Sequence, residues 1–286
     1  MDLGRIGIWS WQLSGGSAEV GDAAAELEAL GYSALWFPNN PAIFERAQGL
    51  LEATRRVVVA TGIASIWTHA PAQAAAAHHA LSEAHPDRFL LGLGVSHPHV
   101  VNRDQPGRYR RPLTRMREYL DALDAAAPPV PASQRVLAAL GPRMTELARD
   151  RSAGAHPYLG TVEHTRMVRD LLGPDRLLAA EVGVLIETDP VRARWMARQG
   201  LAIYMQAPNY TNNWLRLGFT ADDLADGGSD RLIDAIIAWG DLGAIRARID
   251  EHLAAGADHV CLQVISADRA TMPREQWRTL AAVLAD

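Results

Sequence analysis

Short apolar runs rich in valine, isoleucine and leucine alternate along this chain with longer stretches of helical periodicity, and nothing else in the sequence constrains the fold as much. Strand-like runs fall at 5–11, 33–37, 56–65, 89–94, 135–140, 154–159, 176–186 and 258–265. Eight strands with intervening helices predict an α/β fold, a parallel (β/α)8 TIM barrel. The helices are punctuated as that reading requires. The stretch 17–30 stops at Gly31 and 241–255 stops at Gly256, both suited to a left-handed C-terminal cap. Pro71 opens an alanine-rich helix and Thr161 is a candidate N-cap. Far more chain separates the seventh and eighth strands than one crossover needs, so about 201–240 reads as a helical insertion. It either walls one end of the barrel or pads its outside.

A chain of 286 residues suits one such barrel plus its insertion, so 1–286 is expected to be a single domain. No apolar run approaches the roughly 18 residues that span a bilayer, and the first residues lack a signal-peptide pattern. The expected location is the cytoplasm. The lone cysteine, Cys261, rules out an internal disulfide or a Cys-x-x-Cys pair and falls in a strand-like run, where it reads as core. All 28 basic residues are arginine, which excludes lysine Schiff bases and lysine-bearing P-loops. A net charge of −5 without a clustered basic face argues against nucleic acid, leaving a small molecule as the expected partner.

Functional groups of such a barrel lie just past the C-terminal ends of its strands. The first strand ends at Trp11, and the second runs through Trp36 into Asn39 and Asn40, which can bind but cannot serve as acid or base. Thr61-Gly62-Ile63-Ala64 follows the third; its glycine marks a bulge, a ligand's close approach or a barrel-corner kink. After the fourth comes Gly94-Val95-Ser96-His97, where His97 is a candidate proton donor or a bystander. His97 and His99 lack a third ligand nearby, so no metal is expected. The fifth ends in Gly141-Pro142-Arg143-Met144, either a phosphate-binding helix start or an ordinary tight turn. Tyr158 after the sixth strand and Tyr204 in the insertion complete the candidate substrate pocket with Trp11, Trp36 and Asn40.

Taken in order, Gly7-Ile8-Trp9-Ser10, Ala34 to Pro38, Val59 to Ile63, Leu91 to Val95, Leu137 to Met144, Gly154 to Tyr158 and Ala255 to Val260 resemble the luciferase-like oxidoreductases, specifically the branch that uses the deazaflavin coenzyme F420. That resemblance covers nearly the whole chain. It implies that Thr61, Gly62, Ile63 and Ala64 form a bulge behind the deazaflavin ring, with a non-prolyl cis peptide at Gly62–Ile63. It places Asn39, Gly94, Val95, Ser96 and His97 beside the cofactor and Gly141, Pro142, Arg143 and Met144 around its phosphate, and it implies a homodimer. Related deazaflavin dehydrogenases carry Asp-His after the second strand and glutamate after the fourth, where this chain has Asn39-Asn40 and His97. His97 is then the candidate catalytic acid. The expected function is hydride transfer between F420 and a small organic substrate, against an FMN-dependent monooxygenase or a cofactor-binding barrel with little activity.

Overall fold

The computed structural model describes residues 1–103, 105–266, 268 and 270–284. Among these described residues ten strands form, β1 (Ile6–Trp9), β2 (Ala34–Phe37), β3 (Val58–Thr61), β4 (Ala64–Ser65), β5 (Phe89–Gly94), β6 (Arg135–Leu137), β7 (Gly154–Ala155), β8 (Leu177–Ile186), β9 (Ile237–Gly240) and β10 (His259–Val264). All pairings are parallel. The order β10-β1-β2-β3-β5-β6-β7-β8 closes on itself where β8 pairs β10, from His259 opposite Ala179 to Val264 opposite Val184. The expected eight-stranded barrel is present.

Two runs differ from the sequence reading. The third breaks into β3 and β4 at Gly62–Ile63, where the peptide bond is cis as the resemblance implied. The insertion is not wholly helical, because β9 pairs β8 from Gly183 to Ile186. Gly183 and Val184 also pair β10, so β9 adds to the opposite edge of β8.

Helices α1 (Ala18–Ala29), α2 (Ile43–Ala53), α3 (Pro71–Ala84), α4 (Pro98–Val101), α5 (Pro112–Asp124), α6 (Pro142–Arg151) and α7 (Val162–Leu172) connect the first seven barrel strands. Between β8 and β10 lie α8 (Pro190–Leu201), α9 (Pro208–Arg216), α10 (Ala221–Leu224), α11 (Asp230–Ile236) and α12 (Leu242–Ala254), and α13 (Arg274–Leu280) follows β10. The expected caps form: Thr161 accepts the His164 N–H, and Gly31 and Gly256 take φ of +99° and +105°. None of these helices is long and apolar enough to cross a membrane.

The main core joins the inner faces of the helices to the outer faces of the strands, for example Leu27, Leu35, Leu91 and Leu262. A second cluster belongs to the insertion, where Trp214, Leu232, Ile233 and Ala197 pack over Leu159, Leu185 and Ile265. A third fills the barrel interior with Trp9, Trp36, Val136 and Cys261.

The strand crossing just below the C-terminal end is unusually close. A side chain on Gly92 would place its Cβ 1.9 Å from the Thr61 carbonyl oxygen, so only glycine fits. Thr61 exploits the closeness: its hydroxyl donates to Gly92 O at 2.7 Å and accepts from Gly92 N at 2.8 Å. Thr61→Val keeps the shape but leaves both groups without that partner. A loss of about 2 kcal/mol in folding stability is expected, read from urea denaturation midpoints; an unchanged midpoint would show that these bonds are replaced.

Candidate active site

A cavity of about 740 Å³ opens over the C-terminal ends of the barrel strands. Its floor is the peptide segment Gly62–Ile63 after β3, together with Gly94 at the end of β5. Gly94 has no room for more, since a Cβ would come within 2.5 Å of Ile63. Trp9, which also lines the cavity, donates its indole N–H to Gly62 O at 3.0 Å. Beside Trp9, the His156 ring stacks on Trp36 with centroids 4.3 Å apart. His156 donates from Nδ1 to Ala179 O at 2.9 Å, and its burial lowers its pKa to about 4, so it stays neutral.

The walls come from successive strand ends. Pro38 and Asn39 follow β2, Val95, Ser96 and His97 follow β5, and Ala138 to Gly141 with Met144 follow β6. Asn39 is held by its own amide oxygen, which accepts from Ser65 N at 2.9 Å and meets His69 Nε2 at 3.2 Å. Ser96 takes a left-handed φ of +53°, and that turn brings His97 to the N-cap of α4.

The far wall is the insertion. Tyr204, Asn209, Tyr210, Asn212 and Arg216 line the cavity, Asn209 against His97 after β5 and Arg216 against Gly141 after β6, so the insertion encloses the site. Tyr158 bridges the two halves: its hydroxyl donates to Gln263 Oε1 at 2.5 Å and lies 2.7 Å from the Tyr204 hydroxyl. His97 Nδ1 sits 2.9 Å from Asn209 Oδ1, and its ring lies 5.4 Å from that of Tyr210 and parallel to that of His99. Burial lowers the His97 pKa below its usual value, the Asn209 bond raises it in part, and His99 lowers it again. The net result is a histidine that is neutral at pH 7.

The model of the luciferase-like monooxygenase family matches residues 5–259. The chain belongs to that family. Membership makes it an oxidoreductase. A Mycobacterium tuberculosis protein provisionally named a coenzyme F420-dependent oxidoreductase is 25% identical, over 81% of this chain and 84% of the relative. Among solved structures, the F420-dependent tetrahydromethanopterin reductase of Methanopyrus kandleri superposes with a TM-score of 0.74 at 14% identity, covering 98% of each chain. An F420-dependent secondary alcohol dehydrogenase carrying an F420-acetone adduct gives 0.73 at 14% identity, covering 99% of this chain and 98% of the other. The FMN-bound oxygenating constituent of 3,6-diketocamphane monooxygenase from Pseudomonas putida gives 0.66 at 15% identity, covering 98% and 96%. These superpositions establish the shared barrel.

In this luciferase-like barrel most strand-end residues singled out from sequence do meet at one cavity: Trp11, Asn39, Gly62, Ile63, Gly94, Val95, Ser96, His97, Gly141, Met144, Tyr158 and Tyr204. Six do not line it. Trp36 is fully buried inside the barrel, donating to His259 Nε2 at 3.2 Å. Asn40 turns away to cap its own loop, accepting from Ala42 N at 2.9 Å. Thr61 is spent on Gly92, and Ala64 is buried in β4. Pro142 and Arg143 are exposed in the first turn of α6, outside the wall. The cation near Gly141 is instead Arg216, whose guanidinium would lie 3.6 Å from a Cβ there. Sequence reasoning missed Trp9, His156, Asn209, Tyr210, Asn212 and Arg216 as wall residues. Asn209, Asn212 and Arg216 are spaced i, i+3 and i+7, a single helix face that the sequence itself displays.

Proposed function

We propose that this barrel is an F420-dependent oxidoreductase that exchanges hydride with a small organic substrate held in the same cavity. The observation that carries the reading is the cavity itself: a site of about 740 Å³ at the strand ends, of the size that encloses a flat heterocycle and a second small molecule. The residues present fit the deazaflavin. Glycine at 62 and 94 keeps the floor free of side chains, and Val95, Ala138 and Leu140 give apolar contact for a planar ring. Arg216 stands beside Gly141, where α6 begins without a side-chain cap, a combination suited to a phosphate. The relative's name supports the deazaflavin over FMN.

When bound, the deazaflavin supplies the hydride chemistry at its C5. The protein's own part is orientation, exclusion of water and one proton. Trp9, Trp11, Tyr158, Tyr204 and Tyr210 make an aromatic enclosure for an apolar or cyclic substrate. His97, neutral at pH 7, takes a proton from a substrate hydroxyl as hydride leaves, or returns it in the reverse direction.

Titration of the purified chain with oxidised F420 and, separately, with FMN tests this reading. F420 is expected to bind with a Kd below about 10 μM and FMN at least about tenfold more weakly, a difference of roughly 1.4 kcal/mol. Tighter FMN binding, or oxygen consumption with reduced FMN, would instead assign the barrel to the FMN monooxygenases.

A further inference from the structure

The proton-moving role assigned above to His97 requires a particular nitrogen, and the insertion decides which. A neutral imidazole carries one proton and can place it on either nitrogen; the partner of one ring atom therefore fixes the chemistry of the other. His97 Nδ1 lies 2.9 Å from Oδ1 of Asn209, an atom that can only accept. The Asn209 amide is turned so that its oxygen, and not its nitrogen, meets the ring. Asn209 is itself held in place. It sits at the start of α9, whose Trp214 donates to Leu159 O at 3.1 Å and whose Arg216 donates to Asn213 Oδ1 at 2.6 Å.

We propose that Asn209 is a positioning residue: it holds His97 as the Nδ1–H tautomer and leaves Nε2 as the proton-accepting atom of the site. The active site is then assembled from two parts of the chain. The loop after β5 supplies the imidazole, and the insertion between β8 and β10 supplies its orientation. Without the insertion His97 has no partner for Nδ1 among the described residues, and the tautomer that free imidazole favours, with its proton on Nε2, presents a donor where the reaction needs an acceptor. The other groups near His97 are His99, stacked on it from α4, and Tyr210 from α9, whose ring lies 5.4 Å away, with Arg103 after α4 lining the same cavity.

This inference rests on the oxidoreductase reading for its consequence, but its test does not need the cofactor. Long-range proton–nitrogen NMR of the ligand-free protein, with the His97 signals assigned by their loss in His97→Gln, reports tautomer and titration directly. The wild type is expected to show the Nδ1–H form. Asn209→Leu is expected to shift His97 to a majority of the Nε2–H form and to lower kcat by about 10- to 100-fold, with KM within about twofold. Asn209→Asp, which keeps the shape and an accepting oxygen, is expected to retain the Nδ1–H form. It should raise the His97 pKa, and with it the rising limb of the pH–rate profile, by about one unit. If Asn209→Leu fails to fold, the aspartate variant carries the test alone. An Nε2–H tautomer in the wild type, or a titration of His97 indifferent to residue 209, overturns the assignment. Absence of F420 binding alongside the expected tautomers would overturn the function and leave the positioning role standing.

Discussion

His97→Ala is expected to lower turnover by roughly 10²- to 10⁴-fold, the span contributed by a positioned acid or base, while leaving the fold intact. The fold should survive because His97 is only half-buried at the start of the four-residue helix α4 and its side chain makes no capping bond there. Its one side-chain hydrogen bond among the described residues, to Asn209, lies at the cavity wall and in none of the three core clusters. The pH dependence has a definite sign. Burial lowers the pKa of His97, so the neutral, proton-accepting form predominates at pH 7 and is lost as pH falls through that lowered pKa. Turnover in the direction that removes a substrate proton therefore rises through a limb below pH 6.5 and is flat above it. The alanine variant loses that limb together with the rate. Steady-state kinetics from pH 5 to 8, with thermal unfolding as the folding control, measures both, and an unchanged kcat would reduce His97 to a wall residue.

The barrel was legible because each of its strands is a short apolar run bounded by a helix with its own start and stop signals. The segment that escaped, β9, has no such boundary. Ile236 and Ile237 run straight from the end of α11 into the strand, so 235–239 reads as one apolar stretch whose periodicity cannot separate helix from strand. Its strand character comes from the free edge of β8 beyond Gly183, a tertiary fact.

The site was legible to the level of strand ends and not to the level of side-chain direction. Alternation along β2 turns Trp36 into the barrel, where it stacks on His156, although its position just before the strand end marks it as a pocket residue in sequence. Thr61 likewise faces Gly92 because the two strands approach unusually closely there, and the glycine's significance depends on a partner 31 residues away. Arg143 was the nearest cation in sequence to the presumed phosphate loop; Arg216, more than 70 residues further on, is the nearest in space. The insertion contributed a face of α9 that its helical spacing displays, but only the packing of Trp214 against Leu159 aims that face at His97.

Glu181→Gln is expected to stabilise the protein at alkaline pH by several kcal/mol and to do little at pH 5. Glu181 points from β8 into the barrel and is 1% exposed. Its Oε2 accepts from Leu159 N at 2.8 Å, which helps hold Leu159 at its left-handed φ of +52° next to Tyr158 in the cavity wall. Oε1 has no hydrogen-bond partner among the described residues, and the groups that face the carboxyl are Tyr158, Tyr210 and Cys261, none of them cationic. Burial therefore raises its pKa to about 8, the Leu159 amide opposing only in part. An unfolded glutamate titrates near 4.3. Between those two values the unfolded chain has released its proton while the folded one keeps it, so unfolding is favoured by about 1.4 kcal/mol for each unit that pH rises, and the loss levels off above the folded pKa. Summed over that window the penalty is roughly 5 kcal/mol, a large share of a typical folding free energy. Glutamine keeps an acceptor for the Leu159 amide and carries no charge at any pH, so it escapes the penalty. Urea denaturation at pH 5, 7 and 9 should show the wild type losing stability across the series relative to Glu181→Gln; parallel curves would mean that the carboxyl is ionised in the fold and that a cation or solvent reaches it.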